Sequence, residues 1–258
     1  MIDYLGQIRT LLDRLERTQA DAVGQAAAQC AHSIGSGKLV HLFGTGHGSF
    51  PALETFPRSG SLVGFHPIAE LPLTLLHHVF GDMGVAQYRF LHRQEGYGRA
   101  ILDAHQLDPN DTLVLFSHSG INAVVLDMAL AAHEKGLRVI AVTSLPHSSA
   151  VAPRHSSGKH LYQLADIVID TGAPLGDACV RLDGLDEPVA PVSSVLVMAI
   201  VNMLVAETAR LLVEEGTPPH VEVNLNLPRE TSARAHNDAG YAELGRRLAS
   251  RQAVVEAD

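Results

Sequence analysis

The sequence contains no tryptophan, 5% aromatic residues and only two cysteines among 258 residues. Cys30 and Cys179 lie far apart and form no C-x-x-C pair, which argues against a disulfide framework and a cysteine-based zinc site. A reduced, cytoplasmic compartment is the simplest expectation. The hydrophobic share of 46% is mostly Ala, Val and Leu, as expected for helices packed on a parallel sheet.

Basic residues are also scarce. The chain has 19 Lys and Arg against 28 Asp and Glu, a net charge of −9 with neutral histidines. This balance argues against a nucleic-acid partner, which requires a basic surface. A small anionic ligand is still allowed, because the ends of helices provide local positive potential.

Long apolar runs are lacking as well. The longest, at 195–206, is interrupted by Asn202 and is shorter than the roughly 20 residues that cross a bilayer. The N-terminus shows no basic segment followed by an apolar one, so we predict no secretory signal and no membrane partner.

The apolar pattern predicts one α/β domain with a doubly wound, three-layer arrangement around a five-stranded parallel sheet. Strands are predicted at 38–43, 62–65, 113–116, 137–142 and 167–169. A long N-terminal helix is predicted at 1–34, an α/β core at 35–215 and a C-terminal extension at 216–258. Shorter helices are expected at 50–56, 95–107 and 123–135, a loop with a hairpin at 171–192, and a buried helix at 195–213. The segment 77–84 has no clear period and is expected to be irregular.

Two polar loops follow predicted strands. In residues 117–122, short hydroxyl and amide side chains surround Gly120, and a helix begins at once. The free N–H groups and the positive dipole of that helix favour an anion such as phosphate. Alternatively, Ser119 or Asn122 merely caps the helix. A second glycine- and serine-rich loop at 44–49 favours the first interpretation, because ligands bind beyond the carboxyl ends of parallel strands.

Two other ligand classes are disfavoured. A dinucleotide-binding fingerprint needs a third glycine, but Ser49 stands at that position. It also needs an acidic residue near the end of the second strand, where the sequence has Phe65, His66 and Pro67. The 15 histidines form no H-E-x-x-H motif, and the adjacent His77 and His78 would point in different directions on regular structure. A metal held between His47 and His118 is possible but not favoured, so we predict neither a metal nor a cofactor.

The motifs at 44–170 resemble the SIS (sugar isomerase) domain. They are most similar to a bacterial family of stand-alone SIS proteins assigned as phosphosugar isomerases, and more distantly to phosphoheptose isomerases and N-acetylmuramic acid 6-phosphate etherases. The segments that carry the resemblance are GTGHGS, EGYGRAIL, SHSGINAV, AVTSLPHS, RHSSGKHLY and ADIVID.

The resemblance implies a phosphosugar site between the two loops. The implied ligands are Gly46, His47, Gly48 and Ser49 in the first loop and Ser117, His118, Ser119, Gly120 and Asn122 in the second. Glu54 resembles a glutamate of the phosphoheptose isomerases and Glu95 one of the etherases, so both are the predicted acid/base residues; Glu70 is a third candidate.

The sequence departs from these relatives in two places. Gly48 stands where many SIS loops have serine, so either Ser49 takes over the contact or one phosphate ligand is lost. The predicted helix at 195–213 contains no histidine, whereas phosphoheptose isomerases carry a catalytic one there. This difference puts the heptose reaction in doubt.

The predicted function is aldose–ketose isomerisation of a sugar phosphate by proton transfer through an enediol. A lyase or etherase elimination and a non-catalytic phosphosugar sensor are the alternatives.

A homodimer or larger oligomer is predicted, because related SIS proteins pair near their crevices. In addition, the apolar seam formed by Leu5, Ile8, Leu12 and Leu15 needs a partner, which is either a second chain or the chain's own core. The cationic loop 154–159 is either a cover for the anionic sugar or an exposed connection.

Overall fold

A computed structural model describes residues 3–74, 84–228 and 230–255. The helices are α1 (Tyr4–Gly35), α2 (Phe50–Leu53), α3 (Leu71–Thr74), α4 (Gly84–Leu91), α5 (Tyr97–Asp103), α6 (Ala123–Glu134), α7 (Leu145–Ser148), α8 (Leu161–Leu164), α9 (Ser193–Glu214) and α10 (Glu230–Val255), with a 3-10 turn at Gly46–Ser49. The strands are β1 (Val40–Gly44), β2 (Phe65–Pro67), β3 (Thr112–Phe116), β4 (Arg138–Thr143), β5 (Ile167–Asp170), β6 (Ala178–Val180) and β7 (Val189–Pro191).

The first five strands form one parallel sheet in the order β2-β1-β3-β4-β5. Val40 on β1 pairs with Phe65 on one side and with Thr112 on the other. The direction of winding therefore reverses between β1 and β3, which places helices on both faces of the sheet. The predicted doubly wound fold with five parallel strands is confirmed.

The sheet is covered on both faces, which explains why β3 is apolar at successive positions. Val114 and Phe116 belong to the core beneath α1 and α9, and Leu113 and Leu115 belong to the core beneath α5 and α6. Side chains alternate between the two faces of a strand, so each core receives every second residue. On α1, the fully buried small residues are Ala26, Ala27 and Cys30, and they allow close approach to α9.

The second strand lies further along the chain than predicted. Leu62 pairs in an antiparallel bridge with Val221 from the C-terminal part of the chain, not with β1. Gly64, at a φ of 119°, redirects the chain before β2 begins at Phe65. Leu62, whose apolar surroundings in the sequence indicate a strand of the sheet, thus pairs with a C-terminal segment instead.

Two helices are shorter than predicted. The helix after the first loop ends at Leu53, so Glu54 occupies its C-cap position. The helix predicted from residue 95 begins at Tyr97, after Gly96 at a φ of 85°. Glu95 therefore precedes this helix and belongs to a turn.

Most of the N-terminal leucine seam is covered within the chain. Ile8 and Leu15 are 7% and 2% exposed, and Leu12 packs against the core cluster that contains Ala173. Leu5 is 62% exposed. The chain's own core is therefore the partner of most of this seam.

The last third of the chain contains the predicted hairpin and the predicted buried helix. β6 pairs antiparallel with β7. By length and composition α9 is apolar enough to cross a membrane, but Leu196, Ile200 and Leu204 are fully buried in the core. The segment 77–84, predicted to be irregular, lies outside the described residues up to position 83.

Two glycines offer a matched test of this packing. A Cβ at Gly98 would lie 2.1 Å from the Val124 carbonyl oxygen, because α5 packs directly on α6. We expect Gly98→Ala to lower the free energy of unfolding by about 1–3 kcal/mol, the usual cost of overpacking. Gly24 inside α1 has no such neighbour within 4 Å, so Gly24→Ala should raise it by about 0.5–1 kcal/mol. Urea denaturation measures both, and equal effects would contradict the α5–α6 contact.

Candidate functional site

A cavity of about 460 Å³ opens at the carboxyl edge of the sheet, where the strand order reverses. It lies between the loop after β1 and the loop after β3, and it extends to the start of α9. Its lining residues are Thr45, His47, Gly48, Tyr88, Phe116, Ser117, His118, Ser119, Asn122, His147, Asp177, Pro191, Ser193, Ser194 and Val197. Both predicted loops therefore contribute to one cavity.

The start of α6 lies at this cavity without a side-chain cap. Asn122 occupies the N-cap position and its side chain makes no capping hydrogen bond, while the N–H of Val124 in the first turn donates to the His92 carbonyl at 3.3 Å. The Asn122 Oδ1 atom instead lies 3.5 Å from Nη1 of Arg154. Ser117 Oγ accepts a hydrogen bond from the N–H of Gly120 at 3.1 Å, and Gly120 adopts a φ of 60°. The capping interpretation therefore does not hold for Asn122, and the positive end of the α6 dipole favours an anion beside this residue.

The first loop forms a tight turn against β3. A Cβ on Gly48 would lie 2.7 Å from the Phe116 carbonyl oxygen, and one on Gly46 would lie 2.9 Å from the Tyr88 hydroxyl. Serine at position 48 would therefore not fit. Ser49 is buried, and its hydroxyl donates to the Gly46 carbonyl at 2.7 Å. The structure brings His47 and Gly48 to the cavity; it does not bring Ser49 there.

The start of α9 is closed, in contrast to that of α6. Asp177 Oδ1 accepts hydrogen bonds from the N–H groups of Val192 and Ser193 at 3.1 and 2.7 Å. Its Oδ2 accepts from the Ser193 hydroxyl at 2.6 Å. A carboxylate thus neutralises this helix end, whereas the N-cap side chain of α6 makes no such bond. We call the start of α6 the open helix end.

Two neighbouring imidazoles line the cavity. The ring centroids of His118 and His147 are 4.4 Å apart, and the rings are tilted by 54° to each other. Both ring nitrogens of His118 are buried and have no hydrogen-bond partner among the described residues. His147 Nδ1 accepts from the N–H of Gly176 at 3.0 Å, so a neutral His147 carries its proton on Nε2.

The charge state of His118 follows from its surroundings. Burial is the main cause that lowers its pKa; Asp177 opposes this shift and His147 adds to it. Burial also lowers the pKa of His147, again against the effect of Asp177. Both rings are therefore largely neutral at pH 7 and can accept a proton. Across the described ranges, no three His, Cys, Asp or Glu side chains are grouped to hold a metal ion.

The predicted acid/base carboxylates lie outside the lining of the cavity. Glu54 forms an ion pair with Arg58 at 2.9 Å. Glu95 accepts hydrogen bonds from the N–H and the hydroxyl of Ser156 at 2.7 and 2.5 Å, and these bonds lower its pKa. Glu70 does not line the cavity either. Their catalytic roles stay predictions, and the structure does not bring them together.

Several lining residues were not predicted from the sequence. Tyr88 comes from α4, His147 from α7, Asp177 from the loop before β6, and Ser193 and Ser194 from the start of α9. A signal existed for His147, since it follows a polar Thr-Ser pair at the end of a predicted strand. Asp177 gave no comparable signal, because its partners are 15 and 16 residues away.

The order of the strands, the two loops and the open helix end define an SIS-type α/β protein, and comparison with known families agrees. The SIS domain model matches residues 3–144, and the chain belongs to the SIS-domain family. Within it, the chain is 36% identical over 246 residues to a UPF0309 protein of Listeria monocytogenes serotype 4b, covering 95% of this chain and 96% of the relative.

A second relative and a solved structure agree with this family assignment. A UPF0309 protein of Halalkalibacterium halodurans is 36% identical over 224 residues, covering 87% of each chain. A solved phosphoheptose isomerase from Neisseria gonorrhoeae has a TM-score of 0.51 at 15% identity, covering 80% of this chain and 94% of that one. At this identity the solved structure supports the fold alone. The resemblance to the SIS family inferred from the motifs is confirmed.

The neutral state of His118 can be tested by NMR titration. We expect a pKa below the ordinary value of about 6.5. Because the folded-state pKa is lowered, the unfolded chain binds a proton first as the pH falls below that value, and stability falls until the folded-state pKa is reached. His118→Asn should remove this contribution, whose slope reaches at most about 1.4 kcal/mol per pH unit. His32→Asn, an exposed histidine on α1, is the control; a His118 pKa at or above the ordinary value would contradict the expectation.

Proposed function

We propose that this chain binds a sugar phosphate in the cavity and interconverts its aldose and ketose forms. The observation that carries the proposal is the start of α6, whose N-cap residue Asn122 makes no side-chain cap and lines a cavity large enough for a small ligand. The dipole of this helix and the hydroxyls of Ser117 and Ser119 favour a phosphate there. Membership of the SIS-domain family supports a phosphosugar as the ligand class.

The two helix ends set the direction of the ligand. Asp177 closes α9 and places negative charge at that end, so a phosphate there would be repelled. The phosphate therefore lies at α6, and the sugar carbons extend toward His118 and His147. This arrangement puts C1 and C2 near the groups that accept protons.

The chemistry requires one proton to move between adjacent carbons. A base removes the proton from C2 of the aldose while the C1 oxygen gains one, which gives an enediol. The proton then returns at C1 while the C2 hydroxyl loses its own, which gives the ketose. We propose His118 as this acid/base group, since both of its nitrogens are unpartnered and its lowered pKa keeps it neutral. Glu54 and Glu95 stay the alternatives that the sequence predicts.

One observation favours a sensor as the second candidate function. Among the described lining residues Asp177 is the only carboxylate, and its oxygens already accept hydrogen bonds from Val192 and Ser193. A binding protein needs no acid/base carboxylate in its cavity. A catalyst whose acid/base group belongs to this lining would instead use imidazole.

Ligand binding can be measured by thermal shift with a panel of sugar phosphates. A sugar phosphate at 100 times its dissociation constant should stabilise the fold by about 2.7 kcal/mol. Ser119→Asp should abolish the shift, because it places a negative charge at the open helix end. Ser59→Asp, an exposed serine outside the cavity, should bind like the wild type. Equal shifts in both variants, or none in the wild type with any sugar phosphate, would refute the site.

Catalysis can be measured as hydrogen–deuterium exchange at C2 of a bound sugar phosphate in heavy water. The wild type should exchange, and His118→Asn should lose about a factor of 100 or more, the scale of general acid–base catalysis. Glu54→Gln and Glu95→Gln test the carboxylates in the same assay. If only these two variants lose exchange, the acid/base group is not His118. Binding without exchange or elimination product would favour the sensor.

We also propose a homodimer in the cytoplasm, as the sequence predicts. The exposed leucines Leu5, Leu175 and Leu185, at 62%, 58% and 54% exposure, support a further contact surface. Light scattering at micromolar concentration should give at least twice the mass of one chain. A monomer at that concentration would refute the oligomer and leave the cavity proposal intact.

A further inference from the structure

A short segment, residues 154–161, lies directly against the loop that follows β3. We call this segment the strap. Its first residue, Arg154, donates its backbone N–H to the Ile121 carbonyl at 2.9 Å. Its last residue, Leu161, donates to the Gly120 carbonyl at 2.8 Å. The strap is therefore pinned at both ends to the loop that opens toward the cavity, and it is not a free surface connection.

Side chains from two other elements hold the middle of the strap. Glu95 accepts both the N–H and the hydroxyl of Ser156. Asp127 on α6 accepts from His155 Nε2 at 3.1 Å, and these two side chains are 9% and 7% exposed. The carboxylates of Glu95 and Asp127 thus hold the middle of the strap in place. The lowered pKa of Glu95 follows from the same bonds and keeps its carboxylate charged.

This anchoring places one cation beside the open helix end. Arg154 Nη1 lies 3.5 Å from Asn122 Oδ1, and Asn122 lines the cavity. The charge of Arg154 also contributes to lowering the pKa of His92, after the larger effect of burial. His92 stacks on Tyr88 at 4.5 Å between ring centroids. No Lys or Arg is among the described residues that line the cavity, so a bound phosphate has no cation in the lining itself.

We propose that Arg154 binds the phosphate of the ligand and that Glu95 is a positioning residue which holds the strap for it. The inference rests on the proposed phosphate site at α6. The guanidinium lies beside Asn122, the residue at which the α6 dipole favours an anion, and its fork matches phosphate oxygens. Glu95 then acts through Ser156 and touches no reacting atom.

Isothermal titration with inorganic phosphate tests the role of Arg154. Arg154→Ala should raise the dissociation constant about tenfold or more, since a charge-assisted contact is lost. Lys159→Ala is the matched control, because it removes one positive charge from an exposed position of the same strap, and it should bind like the wild type. Equal dissociation constants for the two variants would overturn the inference while leaving the cavity proposal in place. If the wild type binds no phosphate, both the inference about Arg154 and the cavity proposal are refuted.

Glu95 is tested by a conservative and a truncating variant. In Glu95→Gln the amide oxygen can still accept from the Ser156 N–H, and the amide nitrogen can donate to its hydroxyl, so phosphate affinity should stay within about threefold, or about 0.65 kcal/mol, of the wild type. Glu95→Ala should weaken binding as Arg154→Ala does, and the double variant should show little further loss. A positioning role is overturned if Glu95→Ala binds phosphate normally, or if Glu95→Gln loses C2 exchange at unchanged affinity.

Discussion

The turn after β1 folds back so closely on the ends of β1 and β3 that only glycine fits at positions 44 and 48. A Cβ at Gly44 would lie 1.9 Å from the Gly48 carbonyl oxygen, and one at Gly48 would lie 2.7 Å from that of Phe116. This contact occurs where the strand order reverses, so both polar loops leave the sheet side by side. Both loops therefore border the same cavity.

Local electrostatics explain how an acidic chain offers an anion site. The net charge is −9, yet two helices begin at the cavity, and only one of them is neutralised. Asp177 closes α9, whereas the Asn122 side chain turns away from α6. The charge at a helix end acts on groups within about one turn of it. Because a bound anion would lie that close, the helix end affects it more than the distant acidic surface does. The electrostatics of the two helix ends therefore favour the proposed anion at α6 over α9.

Elements with local causes could be predicted from the sequence, and elements with distant causes could not. Four apolar residues in β3 need cover on both faces, and a glycine-serine loop followed by a helix is a local signal; both were predicted. The shift of β2 depends on Val221, more than 150 residues beyond Leu62. The partner of Glu95 is Ser156, 61 residues away. A sequence pattern contains neither contact. The acid/base role of Glu95, which the resemblance implies, stays a prediction.

The anchored strap has a consequence for the thermodynamics of ligand capture. Loops that fold over a ligand lose conformational entropy at that moment, and this loss reduces affinity. Residues 154–161 already have their backbone and side-chain bonds to Gly120, Ile121, Glu95 and Asp127 before any ligand arrives. Under the proposal that Arg154 binds the phosphate, capture at this side of the cavity would order little more than one arginine side chain. Ligand binding should accordingly leave amide hydrogen exchange in the strap almost unchanged.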